Sequence, residues 1–264
     1  MIDLRFAEDE LAQQRDHLTT FIEHQVQAAG ADGAVLGLSG GIDSTLTATL
    51  AVEALGADRV HGLVLPATVS SEKNMSDAEA VAQDLEISYD VIEIEPIIDA
   101  LVAAFPEAEG DHVAVGNARA RTRAVCNYLV ANHENRIVLG TGNRSEAAVG
   151  YFTKYGDGAV DCHPIGNLYK QQVRQLARYL GVPDSLADKT ATAELWANQT
   201  DEEELGIDYD TLDSILATHI DGPLSLAATC RLLEVEPATV ELVRELYESS
   251  EHKRNAPPAP DPLE

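Results

Sequence analysis

Gly37-Leu38-Ser39-Gly40-Gly41-Ile42-Asp43-Ser44 is the stretch around which the chain is organised. It follows the short apolar run Ala34-Val35-Leu36 and precedes the Ala/Leu-rich run Thr45 to Leu55. That order predicts a strand, a tight turn and a helix. Paired glycines open backbone angles that are closed to other residues. Ser39 and Ser44 add hydroxyls. The helix behind the turn aims unpaired N–H groups and the positive end of its dipole back at it. Such a turn suits phosphate groups. Asp43 is a carboxylate in a site built for anions, which makes sense with a divalent cation between it and the phosphates. No Lys follows the glycines, so this is not the GxxxxGK[ST] loop. A plainer reading also stands: a Gly-Gly turn before a helix capped by Asp43 or Ser44.

The chain has 264 residues, 45% of them hydrophobic, which suits one large α/β domain with a sizeable core or two small ones. Charge is the outlier, with 18 Lys+Arg against 45 Asp+Glu and a net charge of −27. General electrostatic binding to nucleic acid is therefore not expected. The balance favours an intracellular protein from a high-salt cell over an ordinary acidic enzyme, which stays open as the alternative. At about 1 M salt the Debye length falls to roughly 3 Å, which screens the self-repulsion. Three scattered cysteines, Cys126, Cys162 and Cys230, form no CxxC pair and point to reduced thiols in a cytoplasm. There is no signal peptide and no apolar run near 18 residues. Without secretion, the glycosylation patterns at Asn143 and Asn198 are chance.

Periodicity predicts a helix over 8–29, with Leu11, Leu18, Ile22 and Val26 on one face. Strands are expected at 34–36, 60–65, 89–94 and 136–140. Helices are expected at 45–55, 76–85, 113–132 and 170–181, with another opened by Pro96. Short helices should follow at 208–218, 223–233 and 237–248. Strands alternating with helices imply a parallel sheet covered on both faces, with the ligand beyond the carboxyl ends of the strands. The 37–44 turn and Thr141-Gly142 both fall at such ends. Residues 184–206 read as a polar, acidic loop suited to a mobile lid. Residues 256–264 carry four prolines and read as disordered. His61 and His112 lack ligand spacing and read as structural or surface residues.

Residues 119–178 hold nine Arg or Lys and four acids, a net +5, so the rest of the chain carries −32. An anionic substrate with several phosphates would explain this island. Arg136, Arg174 and Arg178 are expected to pair with surface acids instead, at little gain in stability. Only five lysines occur in the chain, which gives weight to Lys154 and Lys170.

Within and beyond the island lie Gly116-Asn117-Ala118-Arg119-Ala120-Arg121, Gly140-Thr141 followed by Glu146, and Phe152-Thr153-Lys154-Tyr155-Gly156-Asp157-Gly158. The acidic run from Asp201 to Asp210 and the terminal His252-Lys253-Arg254 follow. With the Ser-Gly-Gly-x-Asp-Ser turn, these resemble the ammonia-dependent NAD synthetases of the PP-loop ATP pyrophosphatase group, over roughly residues 30–254. Beside the acidic charge, the resemblance suggests a halophilic archaeal source. It implies a Rossmann-like α/β fold of the adenine nucleotide alpha-hydrolase type, one domain over 1–255 and a C-terminal helical segment.

The resemblance further implies that Gly37 to Ser44, Thr141, Lys170 and Thr192 contact ATP, with Asp43 and Lys170 catalytic. Asp43 and Glu146 would ligate Mg²⁺. Arg121, Lys154, Asp161, His252 and Lys253 would contact deamido-NAD. The implied reaction amidates deamido-NAD with ammonia through an acyl-adenylate, in a cytoplasmic homodimer with substrate at the subunit interface. No glutaminase region is expected in the chain. Ile42, Arg119 and Gly142-Asn143-Arg144-Ser145 depart from the commoner family residues. Two alternatives stay open. One is another PP-loop ligase or amidotransferase subunit, such as the pyrophosphatase half of GMP synthetase. The other is a nucleotide-binding module that forms no AMP.

Overall fold

A computed structural model describes residues 1–193, 195–196 and 199–260. Four strands, β1 (Gly33–Gly37), β2 (Val60–Val64), β3 (Ser88–Val91) and β4 (Arg136–Val138), form a parallel sheet in the order β3-β2-β1-β4. Val35 of β1 pairs with His61 of β2 on one side and Val138 of β4 on the other. The chain thus builds outward from β1 to β3, then returns to place β4 on the far side of β1. The crevice between β1 and β4 is where strand order reverses, the usual ligand position in such sheets.

Successive strand residues point to opposite faces. Ala34, Leu36, Val60, Val64, Ile137 and Leu139 enter one core with α1 (Glu8–Ala28), α2 (Ile42–Leu55) and α3 (Glu72–Asp84). Val35, Leu63 and Val138 enter the other core, with Ile94 before α4 (Glu95–Ala104) and Cys126 and Ala131 of α5 (His112–His133). Both faces are covered, so the inner strands β1 and β2 are almost wholly buried, with His61 the one polar side chain in them. The expected face of α1 is the buried one: Leu11, Leu18, Ile22 and Val26.

β3 is shorter than the expected 89–94. It lies at the sheet edge with Val91 exposed, and Ile94 leaves it to sit buried at the start of α4. α3 begins earlier than expected, at Glu72, because the Ser71 hydroxyl accepts the Asn74 amide as a cap.

After β4 come α6 (Arg144–Val149), α7 (Lys170–Tyr179), α8 (Asp184–Ala187), α9 (Asp201–Leu205) and α10 (Tyr209–Ile215), the last continued by a π-helical turn over Leu216–Ile220. α11 (Leu226–Leu233), α12 (Pro237–Ser249) and α13 (Glu251–Arg254) complete the chain. α6, α10, α11 and α12 share a third core around Val149, Tyr209, Leu212, Leu233, Val240 and Val243, which is the C-terminal helical segment. Residues 256–260 are exposed and carry no helix or strand; the remainder of the expected tail, 261–264, lies outside the described residues, as does Asn198.

The three surface arginines pair as anticipated: Arg136 with Glu134 at 2.8 Å, Arg174 with Asp210 at 3.5 Å, and Arg178 with Asp184 at 3.1 Å and with Asp188. His61 is buried between Glu134 and Asp90, a structural position.

Candidate active site

The turn after β1 packs against α3. Gly40 has φ +69°, and a Cβ there would lie 2.4 Å from the Asn74 carbonyl oxygen and 2.9 Å from the Asp77 Cβ. Only glycine fits both the angle and the space. Gly40→Ala is expected to lower the unfolding midpoint and the ATP affinity together, since α3 and the turn must separate to admit one methyl group. Denaturant unfolding and ATP titration would read it; an unchanged protein in both would contradict the packing argument.

α2 starts at Ile42 behind Gly41, with no side-chain cap. Asp43 and Ser44 therefore do not cap it. The Ser44 hydroxyl instead accepts the Ser39 amide at 3.2 Å and meets the Ser39 hydroxyl at 3.0 Å, which fixes the shape of the turn.

Asp43 lies in the first turn of α2, and α6 starts beyond the neighbouring β4. Their side chains meet in the crevice. The Asn143 amide nitrogen donates to Asp43 Oδ1 at 2.8 Å, and the Asn143 Oδ1 accepts the Glu146 backbone amide at 3.0 Å. Asn143 is fully buried, so its glycosylation pattern is indeed without use. Lys170, only 2% exposed at the start of α7, places its Nζ 2.5 Å from Asp43 Oδ2 and 3.3 Å from Glu146 Oε1. The ring of Tyr209 lies 5.0 Å from the same ammonium, and its hydroxyl donates to Asp201 at 2.9 Å and reaches Glu146 at 3.4 Å. Asp201 is buried, and its Oδ1 has no partner among the described residues.

This cluster holds three carboxylates and one ammonium. Burial alone would lower the Lys170 pKa, but Asp43 and then Glu146 outweigh it and hold the ammonium charged. Burial pushes Glu146 up to about 7, against the opposing pull of Lys170. The folded state therefore keeps a proton on Glu146 that the unfolded chain releases near pH 4.5. Stability from this group falls as pH rises across that window, from about 4.5 to about 7. The difference in unfolding midpoint between the native chain and Glu146→Gln should drift with pH in that sense when divalent ions are chelated. A difference that is flat with pH would reject the shift.

A cleft of about 430 Å³ opens above these groups. Every residue from Gly37 to Ser44 except Gly40 lines it, as do Thr141, Glu146, Lys170, Thr192 and Lys253. Besides Gly40, four expected site residues are not among its lining: Arg121, Lys154, Asp161 and His252. Asp161 binds the sheet: its carboxylate accepts the Val138 amide at 2.7 Å and the Tyr128 hydroxyl at 3.1 Å. Arg121 donates to the Lys154 carbonyl at 3.3 Å, and the Lys154 ammonium donates to the His252 carbonyl, so these three share a patch outside the cleft. Lys253 ties the C-terminus to the cleft rim through the carbonyls of Gly150 (2.8 Å) and Phe152 (3.0 Å).

Residues 189–193, Leu195, Trp196, Gln199, Asp201 and Glu204 of the 184–206 segment line the cleft. Lys189 donates to the Gly40 carbonyl at 2.8 Å and to Asp77 at 2.5 Å. Arg119 binds the Leu195 carbonyl at 3.0 Å, and Trp196 meets His112 edge-on at 5.5 Å. Short helices α8 and α9 bound the segment, where the sequence suggested loop. Asn143, Lys189, Asp201 and Tyr209 are the site residues that sequence reasoning left without a role.

The NAD synthase family model matches residues 15–257. The chain belongs to the NAD synthase family. Its members include the NH₃-dependent NAD⁺ synthetase of Halobacterium salinarum, 63% identical over 98% of this chain and 97% of that one. Among solved structures, the NMN synthetase of Francisella tularensis superposes with a TM-score of 0.84 at 36% identity, covering 97% of this chain and 99% of that one. The NH₃-dependent NAD synthetase of Campylobacter jejuni, solved with nitrate ion, gives a TM-score of 0.80 at 29% identity, covering 95% and 99%. The family and the fold are those the quoted turn and Phe152–Gly158 implied.

Proposed function

We propose that this NAD synthase family member amidates deamido-NAD with ammonia and ATP, giving NAD, AMP and pyrophosphate. The observation that carries the reading is the Lys170–Asp43–Glu146 cluster facing a glycine turn at the carboxyl ends of adjacent strands. A nicotinate carboxylate oxygen attacks the α-phosphorus of ATP; the bond to the bridging oxygen breaks and pyrophosphate leaves. Ammonia nitrogen then attacks the acyl-adenylate carbonyl, loses a proton, and AMP leaves. Gly37 to Ser44, with Thr141 and Thr192, hold ATP. Lys170 offsets charge growing on the phosphates, and positioning supplies much of the rest.

Asp43 and Glu146 suit Mg²⁺, a hard ion that takes carboxylate oxygens and completes its shell with substrate phosphates and water. Bound there, it would neutralise phosphate charge. The described residues of the 184–206 segment that line the cleft support its reading as a lid, which would keep the acyl-adenylate from water.

Arg121, Lys154, Asp161, His252 and Lys253 are proposed for deamido-NAD, with the first two and His252 reaching it across a homodimer interface. Arg121 precedes Val125 and Leu129 by one and two turns on the exposed face of α5, where these two are 67% and 66% exposed. Ile97, Leu101 and Phe105 at α4 are exposed at the same spacing. Two such apolar stripes are what an interface between copies would bury. Val125→Asp with Leu129→Asp is expected to give monomer by light scattering and to raise the KM for deamido-NAD several-fold. A dimer with unchanged KM would refute the interface. We further propose one catalytic unit over 1–255 working in the cytoplasm at high KCl, in keeping with the charge of −27. Among the described residues no helix is long and apolar enough to cross a membrane.

The test is product formation from Mg-ATP and ammonium with deamido-NAD or nicotinate mononucleotide, at low and multimolar KCl. Stoichiometric NAD, AMP and pyrophosphate from deamido-NAD is the expected result, without turnover on glutamine alone. The likeness to an NMN synthetase gives a second reading. Preference for the mononucleotide would move the chain to it, and no AMP at any salt would reject both.

A further inference from the structure

At the start of α7 the Tyr169 amide is accepted by Gln172 Oε1 at 3.0 Å, but the Tyr169 side chain offers no bond to the first-turn amides. Two other helices satisfy those amides instead. The Ser145 hydroxyl oxygen, from α6, accepts the Lys170 amide at 3.0 Å. The Asp213 carboxylate, from α10, accepts the Gln171 amide at 3.0 Å through Oδ2, and its Oδ1 accepts the Ser145 hydroxyl. Both side chains are completely buried. A carboxylate kept in an apolar interior, where unpaired polar groups are costly, needs a return for its burial. Here the return is positional. α6 carries Glu146 next to Ser145, α7 opens on Lys170, and α10 opens on Tyr209, whose ring lies against the Lys170 ammonium. One carboxylate therefore ties together three of the helices whose side chains make up the charged cluster, those that carry Glu146, Lys170 and Tyr209. A negative group at the N-terminus of α7 also opposes the positive end of that helix dipole.

We propose that Asp213 is a positioning residue for the reaction, fixing through Ser145 the backbone from which Lys170 reaches the phosphates. Asp213 touches no cleft atom itself and acts only by setting where the Lys170 side chain starts. The inference rests on the reading of Lys170 as the group that meets ATP. A displacement of that start by a fraction of an ångström weakens charge stabilisation in the transition state more than ground-state binding, because the transition state makes the stricter geometric demand.

The experiment compares Asp213→Asn, Ser145→Ala and the double variant in the full chain, with AMP release as readout and both deamido-NAD and nicotinate mononucleotide as acceptors. A wrong acceptor would show in the native chain and leave the comparison among variants intact. Each single change should lower kcat about 10- to 100-fold with the KM for ATP within a few-fold. The double variant should lose no more than the worse single one, because both changes cut the same link. Multiplicative losses, or a rise in KM with kcat retained, would overturn the proposal. If Asp213→Asn fails to fold, Ser145→Ala decides alone: it must show the kcat loss with a native unfolding midpoint, and a native kcat overturns the link.

Discussion

Lys170→Ala is expected to lower kcat/KM for AMP formation by about 10³-fold, the upper range for removing one preorganised charge from a transition state. The ammonium is 2% exposed and sits between two carboxylates at 2.5 and 3.3 Å, which fix its position. Loss of one partner from a fully buried pair costs about 3–5 kcal/mol. The Asp43 and Glu146 side chains keep 19% and 17% exposure, so solvent screens part of that and the stability loss should be smaller. Lys170→Met keeps the aliphatic stem against Tyr209 and should be as inactive but more stable than the alanine variant. Lys170→Arg should not rescue activity, because a planar fork does not fit a pocket shaped for one ammonium. Quenched AMP assays and denaturant unfolding at fixed KCl measure both effects. An alanine variant retaining a tenth of native turnover would remove Lys170 from the chemistry.

The parts legible in the sequence were those written in local order. The apolar triplet, the paired glycines and the helical run placed β1, the turn and α2 because each signal lies within a few residues. The four apolar positions of α1 gave its buried face for the same reason. α6 escaped notice because six residues are too few for a periodic pattern. Its signal was the pair Asn143 and Glu146, three residues apart, which forms a capping box. That pair also holds the two candidate metal carboxylates in register, so local capping and site geometry are one feature here. Tyr209 and Asp201 could not be read, since an aromatic and an acid near an acidic run give no sign that they are buried beneath Lys170. Lys189 had a weak signal: one lysine of five, in a chain that avoids them. Arg121, Lys154 and His252 were grouped only by family resemblance, and the fold brings them onto one patch through backbone carbonyls that no side-chain pattern encodes.

Asp43→Ala is expected to abolish AMP formation while leaving the fold in place. The fold should persist because the turn does not depend on this carboxylate: Ser39 and Ser44 close it, and Thr45 and Thr47 hydroxyls bond within α2 to the carbonyls of Gly41 and Asp43 at 2.8 Å each. Lys170 also keeps Glu146 as a partner at 3.3 Å. What the change removes is the acceptor that orients both Asn143 and Lys170, and with it one of two carboxylates suited to Mg²⁺. Glu146 alone offers the ion one carboxylate in place of two, and the Lys170 ammonium then pairs with it alone. The fall in turnover should therefore exceed that of Lys170→Ala, and raising Mg²⁺ should not restore it. Asp43→Asn separates charge from shape: it keeps an acceptor for one neighbour and loses the charge, so it should remain native by near-UV circular dichroism and still form no AMP. If Asp43→Ala turns over ATP, neither the metal role nor the cluster's part in catalysis stands. If Asp43→Asn alone is active, the carboxylate is an orienting acceptor and the ion is held elsewhere.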